Sequence, residues 1–209
     1  MPTEPRFRLI FDFAGVIGLP QSVHAIESMA TAAGMTVDLF QTRYWEHRRE
    51  YDLGMTDVDY WHLVLGPTVS AELVHRLVGI DVDSWLDLND GVVRTAAAHA
   101  AAGAEVHILS NAPEALARRV EALPELSFVD EFTFSCDIGC AKPDQETYQL
   151  ARSNHLPNIF VDDRSENITA AQVAGIDAAL FIDESNLRQR LQTFADNVHA
   201  RYPQIATDN

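Results

Sequence analysis

The chain has 209 residues, 47% of them hydrophobic and 22% charged, with a formal net charge of −16. That is room for one substantial core and a modest insert, in a composition ordinary for a soluble globular protein. So acidic a chain repels phosphate backbones and anionic lipid surfaces, so neither a nucleic-acid partner nor a membrane partner is expected. It has no run of about 18 apolar residues. Its first residues lack the charged-then-apolar order of a signal peptide, which predicts a cytoplasmic location.

The first predicted element is the apolar run Phe7 to Phe11, long enough for a buried strand and too short for a helix. It ends at Asp12, followed by the small residues Ala14 and Gly15. A charge at the tip of a hydrophobic strand is costly unless it is paired, metal-bound or open to solvent. In an open α/β sheet that edge is where ligands sit. A turn-forming Asp ahead of a glycine is the plainer alternative.

From Leu19 to Asp87 the pattern is helical, without a strand. Val23, Ile26, Met29 and Ala30, and later Leu73, Leu77 and Val78, recur at helical spacing. Gly34, Gly54, Gly66-Pro67 and Gly79 divide the stretch into four or five short helices, and Trp45, Trp61 and Trp85 all fall within it.

Beyond Gly91, helices and strands alternate. A helix over Val92 to Ala102 stops at Gly103, and a strand over Ala104 to Leu109 ends at Ser110-Asn111. Pro113 opens the next helix, where its missing N–H costs nothing. Strands follow over Phe132 to Ser135, Asn158 to Val161 and Ala178 to Ile182. Helices run from Asp144 to Ser153, Glu166 to Ala174 and Glu184 to His199. The pattern predicts an α/β fold, a doubly wound parallel five-stranded sheet covered on both faces, with a small helical domain inserted after its first strand.

Polar residues gather at the carboxyl ends of these strands: Asp12, Ser110-Asn111 and Asp162-Asp163. Lys142 precedes the helix after the third strand. Lys142 is the only lysine, and the other fourteen cationic side chains are Arg. One nucleophilic carboxylate, a carboxylate pair, hydroxyl and amide donors and a compact ammonium are the parts that phosphoryl transfer needs. Mg²⁺ fits such a site because it takes few carboxylates and keeps waters and substrate oxygens in the rest of its shell. Cys136 and Cys140 are too few for a disulfide framework and lack partners for zinc, so idle thiols are expected.

At these residues the chain resembles the haloacid dehalogenase superfamily of hydrolases. Asp12-Phe13-Ala14-Gly15-Val16 looks like its first motif, Leu109-Ser110-Asn111 its second, Lys142-Pro143 its third and Val161-Asp162-Asp163 its fourth. Within the superfamily it is most similar to the branch of the bacterial glucose-1-phosphate phosphatase and the amino-terminal phosphatase domain of soluble epoxide hydrolase. Gly139 to Asp144 followed by Tyr148, and Asp162-Asp163 followed by Asn167, are in that branch's style. The resemblance implies a Rossmann-like core over residues 1–18 and 88–209 and a helical cap over residues 19–87. It implies Asp12 as the nucleophile forming an aspartyl-phosphate, with Lys142 pairing with it and with the phosphate. Ser110, Asn111, Lys142 and Gly15 would bind the phosphoryl group. Asp12, the Ala14 carbonyl and Asp163 would hold Mg²⁺ with Asp162 close by, and Asn167, four residues past Asp163, would orient the Asp163 carboxylate.

Most phosphatases of this superfamily carry a second Asp two residues after the nucleophile, as general acid and base. Here that position is Ala14. Losing such a group typically costs about 10²–10⁴ in rate, although the bacterial glucose-1-phosphate enzymes also lack it. His24 and His47 are candidates for a substitute, His24 being more simply an exposed helix residue. The stretch Tyr44 to Tyr51 could grip a second anionic or sugar group, but Glu46 and Glu50 at helical spacing favour a self-paired, solvated face. Tyr60-Trp61-His62 reads as cap core. The expected function is Mg²⁺-dependent hydrolysis of a small phosphorylated metabolite, plausibly a sugar phosphate, by a monomer or homodimer. The alternatives are a non-catalytic phosphate-binding or regulatory protein and a metal-free haloacid dehalogenase, against which Asp162-Asp163 argues. A Schiff-base mechanism of the phosphonoacetaldehyde hydrolase kind needs a cap lysine, and there is none.

Overall fold

The structure, a computed structural model, describes residues 7–201. The outer ends of the core segments expected above, residues 1–6 and 202–209, lie outside the described residues. Strand β1 (Arg8–Phe11) is followed by helices α1 (Val23–Ala32), α2 (Val37–Glu46), α3 (Arg48–Asp52), α4 (Asp57–Leu65) and α5 (Ala71–Asp83). Ser22, Thr36, Thr56 and Ser70 each accept a first-turn amide, which satisfies donors that a helix start leaves over. These helices bury a core of their own around Phe40, Tyr44, Tyr51, Tyr60 and Trp61. The Tyr51 and Tyr60 rings stack with centroids 4.0 Å apart.

The chain then returns through α6 (Asp90–Ala101), β2 (Glu105–Ser110), α7 (Glu114–Glu121), β3 (Glu131–Phe134) and the single turn α8 (Ser135–Ile138). It closes with α9 (Gln145–Ala151), β4 (Asn158–Asp162), α10 (Ser165–Val173), β5 (Asp177–Leu180) and α11 (Glu184–Arg201). The five strands are all parallel in the order β3-β2-β1-β4-β5. Side chains alternate across a strand, so Leu9 and Phe11 pack with Val106, Leu116 and Leu187 on one face. Ile10 packs with Leu109, Tyr148 and Ala171 on the other. This is the doubly wound α/β sheet that alternating elements predict.

Among the boundaries that differ from the sequence reading, those of β3 and β5 have a visible cause. Ser135 opens α8 instead of ending β3, because its hydroxyl is drawn away from the sheet, accepting the Ala112 N–H at 3.0 Å and donating to the Asp52 carbonyl. β5 begins at Asp177 and ends at Leu180, since pairing with β4 runs only from Ile159↔Asp177 to Asp162↔Leu180.

Candidate active site

In this strand order the chain moves outward from β1 in both directions, so the crevice at the carboxyl ends of β1 and β4 is the switch point where α/β proteins take ligands. The register sets Phe11 beside Val161, and the Asp12 amide donates to the Val161 carbonyl at 2.9 Å. Asp12 and Asp162 therefore leave the sheet side by side. Lys142 lies between them, with Nζ 2.7 Å from Asp12 Oδ1 and 2.9 Å from Asp162 Oδ2. Asp12 Oδ1 also accepts the Phe13 amide at 2.6 Å, which fixes the orientation of that carboxylate.

All three groups are buried. Burial pushes the Asp12 carboxyl up to about 7, against the opposing pull of the Lys142 ammonium and with the Asp162 charge adding to it. Burial opposes the charge of Lys142 too, but the two carboxylates outweigh it and hold the ammonium above its ordinary value. Asp162 is also pushed up by burial. The Lys142 charge, with hydrogen bonds from Lys142, the Arg164 amide and Asn167, reverses this and leaves it below the usual carboxylate value. Both Asp162 oxygens are thus occupied. It is the anchor of the lysine and of the turn after β4.

Lys142 is placed from two sides. The Asn111 side chain spans to its backbone, Nδ2 donating to the Lys142 carbonyl at 2.9 Å and Oδ1 accepting the Lys142 amide at 2.8 Å. Asn111 thus straps the lysine loop to the end of β2. Sequence reasoning, which gave Asn111 a phosphoryl-binding role, missed this contact. Ser110 is buried at the tip of β2. Asp144 stands at the N-terminus of α9 without capping it through its side chain; its carboxylate pairs instead with Arg49 at 2.7 Å.

The residues fit a hard divalent cation. Ligand oxygens of Asp12, Asp162 and Asp163 lie within 4.8 Å of one another. The Asn167 side-chain oxygen is buried with no hydrogen-bond partner, while its amide nitrogen donates to both Asp162 oxygens. An unpaired acceptor beside three carboxylates suits a hydrated ion, whose waters donate. Gly15, at φ +86°, lets the Asp163 carboxylate approach the β1 turn, since a Cβ there would sit 2.9 Å from Asp163 Cγ. Burial, then the Asp162 charge, holds the Asp163 carboxyl above its ordinary value.

A cavity of about 280 Å³ opens over this cluster. Asp12, Ala14, Gly15, Asn111, Lys142 and Asp163 form its floor. Trp45, Arg48, Asp52 and Trp85 wall it from the helical side. Arg48 departs from the solvated face expected for its stretch: it is buried, donating through Nε to Asp52 Oδ1 at 2.8 Å and through Nη1 to the Tyr44 hydroxyl, with Nη1 3.7 Å from Asp81 Oδ2. Glu46 and Glu50 are exposed as expected. His24 is exposed, and neither it nor His47 lines the cavity. No sequence signal marked Asp52 or Trp85, whose roles depend on how the helices dock.

A family model for haloacid dehalogenase-like hydrolases matches residues 9–175. The chain belongs to the haloacid dehalogenase-like hydrolases. No curated protein matches this hydrolase in sequence. Among solved structures it is similar to a HAD family enzyme from Bacteroides thetaiotaomicron, at 18% identity and TM-score 0.67 over 84% of this chain and 93% of that one. That enzyme has also been solved in complex with magnesium and inorganic phosphate, at TM-score 0.65, 18% identity, and 83% and 93% coverage. A HAD-like family hydrolase from Porphyromonas gingivalis matches at 16% identity and TM-score 0.68 over 90% of this chain and 97% of that one. Among the hydrolase's described residues, no helix is long and apolar enough to cross a membrane.

Proposed function

We propose that this hydrolase is a Mg²⁺-dependent phosphatase acting on a small phosphorylated metabolite such as a sugar phosphate, of the glucose-1-phosphate phosphatase type. The observation that carries the reading is the contact of Lys142 with both Asp12 and Asp162, beside the Asp163 carboxylate and the unpaired oxygen of Asn167. The magnesium and phosphate of the Bacteroides neighbour support the same pair of ligands here. Residues 1–18 and 88–209 serve as the catalytic core, and residues 19–87 as the cap that closes over it.

Asp12, the Ala14 carbonyl and Asp163 hold Mg²⁺, with Asp162 and Asn167 close behind. When bound, the ion supplies positive charge that lets a carboxylate approach a phosphate dianion. Asp12 attacks phosphorus, and the ester oxygen leaves as the aspartyl-phosphate forms. Lys142, with Ser110, Gly15 and the Asn111 backbone, neutralises and orients the phosphoryl oxygens. Water then attacks the same phosphorus and releases Asp12.

Turnover of 4-nitrophenyl phosphate should require Mg²⁺ and disappear in Asp12→Asn. Dehalogenation of a 2-haloacid in place of ester hydrolysis would contradict the proposal. Ala14 favours a second reading, a phosphate-binding protein without turnover. It predicts at most one equivalent of nitrophenol per chain, where the phosphatase predicts many.

A further inference from the structure

Hydrolysis of an ester with a poor leaving group needs a proton delivered to the departing oxygen and a base for the attacking water. Ala14 has no side chain to do either. Six side chains that line the cavity carry titratable groups: Asp12, Arg48, Asp52, Lys142, Asp163 and Arg164. Asp12 is the nucleophile, and Lys142 is held between Asp12 and Asp162. Asp163 belongs to the carboxylate cluster. The two arginines hold their protons too tightly to give them up. That leaves the carboxylate of Asp52.

Asp52 is built into place. Its backbone carbonyl accepts from the Ser135 hydroxyl, which accepts in turn from the Ala112 amide, so α3 is tied to the loop directly after Asn111. Its Oδ1 accepts from Arg48 Nε at 2.8 Å. Arg48 is itself fixed by the Tyr44 hydroxyl, which donates to Asp81 Oδ1 at 2.6 Å. The carboxylate keeps 14% of its surface open, on the cavity side. Burial raises its affinity for a proton, although Arg48 pulls the other way.

Resting on the phosphatase reading, we propose that Asp52 is the catalytic acid and base, delivered from the helical layer in place of the residue missing at position 14. In the first step the bond from phosphorus to the ester oxygen breaks as the bond from Asp12 to phosphorus forms, and the Asp52 proton passes to the leaving oxygen. In the second, water attacks phosphorus and gives its proton to Asp52. The bond from phosphorus to Asp12 breaks, so phosphate leaves with both carboxyl groups restored to their starting states.

The test is the dependence of kcat/KM on the leaving group, measured with 2,4-dinitrophenyl, 4-nitrophenyl and phenyl phosphate at saturating Mg²⁺. With an acid at work the wild-type values change little along the series. In Asp52→Asn, phenyl phosphate should lose about 10²-fold or more, and dinitrophenyl phosphate less than about 10-fold. Adding Ala14→Asp to Asp52→Asn should recover most of the phenyl phosphate rate. A steep wild-type dependence overturns the proposal even if the variant fails to fold. So does an equal loss on all three esters, which is what a merely structural role for Asp52 produces. If wild type turns over none of them with Mg²⁺, the phosphatase reading itself fails; turnover with the wrong dependence sinks only the role of Asp52.

Discussion

Lys142 concentrates the energetics of the site in one side chain. Its ammonium is buried against two carboxylates, and the three charges tolerate the interior only together. Lys142→Met strands Asp12 and Asp162 beside each other without a cation. Urea unfolding at neutral pH should show a loss of about 3–5 kcal/mol; a loss below about 1 kcal/mol, the size of an exposed pair, would mean that the triad is not buried as described. Asp12 and Asp163 were legible in sequence because a strand ending in a charge states its own position; Lys142, before α9, and Asn167, in α10, line the same cavity. Arg48 and Asp52 were not legible. Charged residues four apart on a short helix look the same whether they face water or a cavity, and only the docking of α3 against Ser135 decides between them.

At the scale of elements, β2 carries its own titratable core group, His107, in mid-strand beside Ile10 of β1. His107 Nε2 lies 2.9 Å from the Thr133 hydroxyl and Nδ1 lies 3.1 Å from the Ala151 carbonyl, so the neutral ring donates through Nδ1 and accepts through Nε2. Burial, with Arg8 adding to it and Glu131 opposing, pushes its pKa down to about 4. The folded state therefore resists a proton that the unfolded chain takes up near the usual histidine value. The stabilisation from the neutral ring is complete above about pH 6.5 and is lost as pH falls toward 4. Between pH 7.5 and pH 5 wild type should lose about 2 kcal/mol more than His107→Gln, as read by urea unfolding at each pH. Parallel losses would contradict the burial argument. The strands and helices themselves were readable from hydrophobic period and glycine punctuation. Ser135 was misplaced because its hydroxyl serves Ala112 and Asp52, partners 23 and 83 residues away in sequence.

For the whole molecule, charge and docking matter most. The net charge of −16 would repel the phosphate ester proposed as substrate before it reached the cavity. At saturating Mg²⁺, kcat/KM should rise with added salt until the Debye length falls to about 8 Å, near 0.15 M; a fall with salt would indicate attractive steering. The fold class was written in the alternation of elements, whereas the seating of the helical layer on the sheet edge was not. That seating rests on contacts between distant segments, such as Arg49 with Asp144 and Ser135 with Asp52. The proposed reaction turns on one bond, between Asp12 and phosphorus. Wild type mixed with 2,4-dinitrophenyl phosphate and Mg²⁺, quenched in acid within milliseconds and digested, should show a single phosphoryl group on the peptide bearing Asp12. Ester hydrolysis with no such adduct, and with turnover surviving Asp12→Asn, would contradict it.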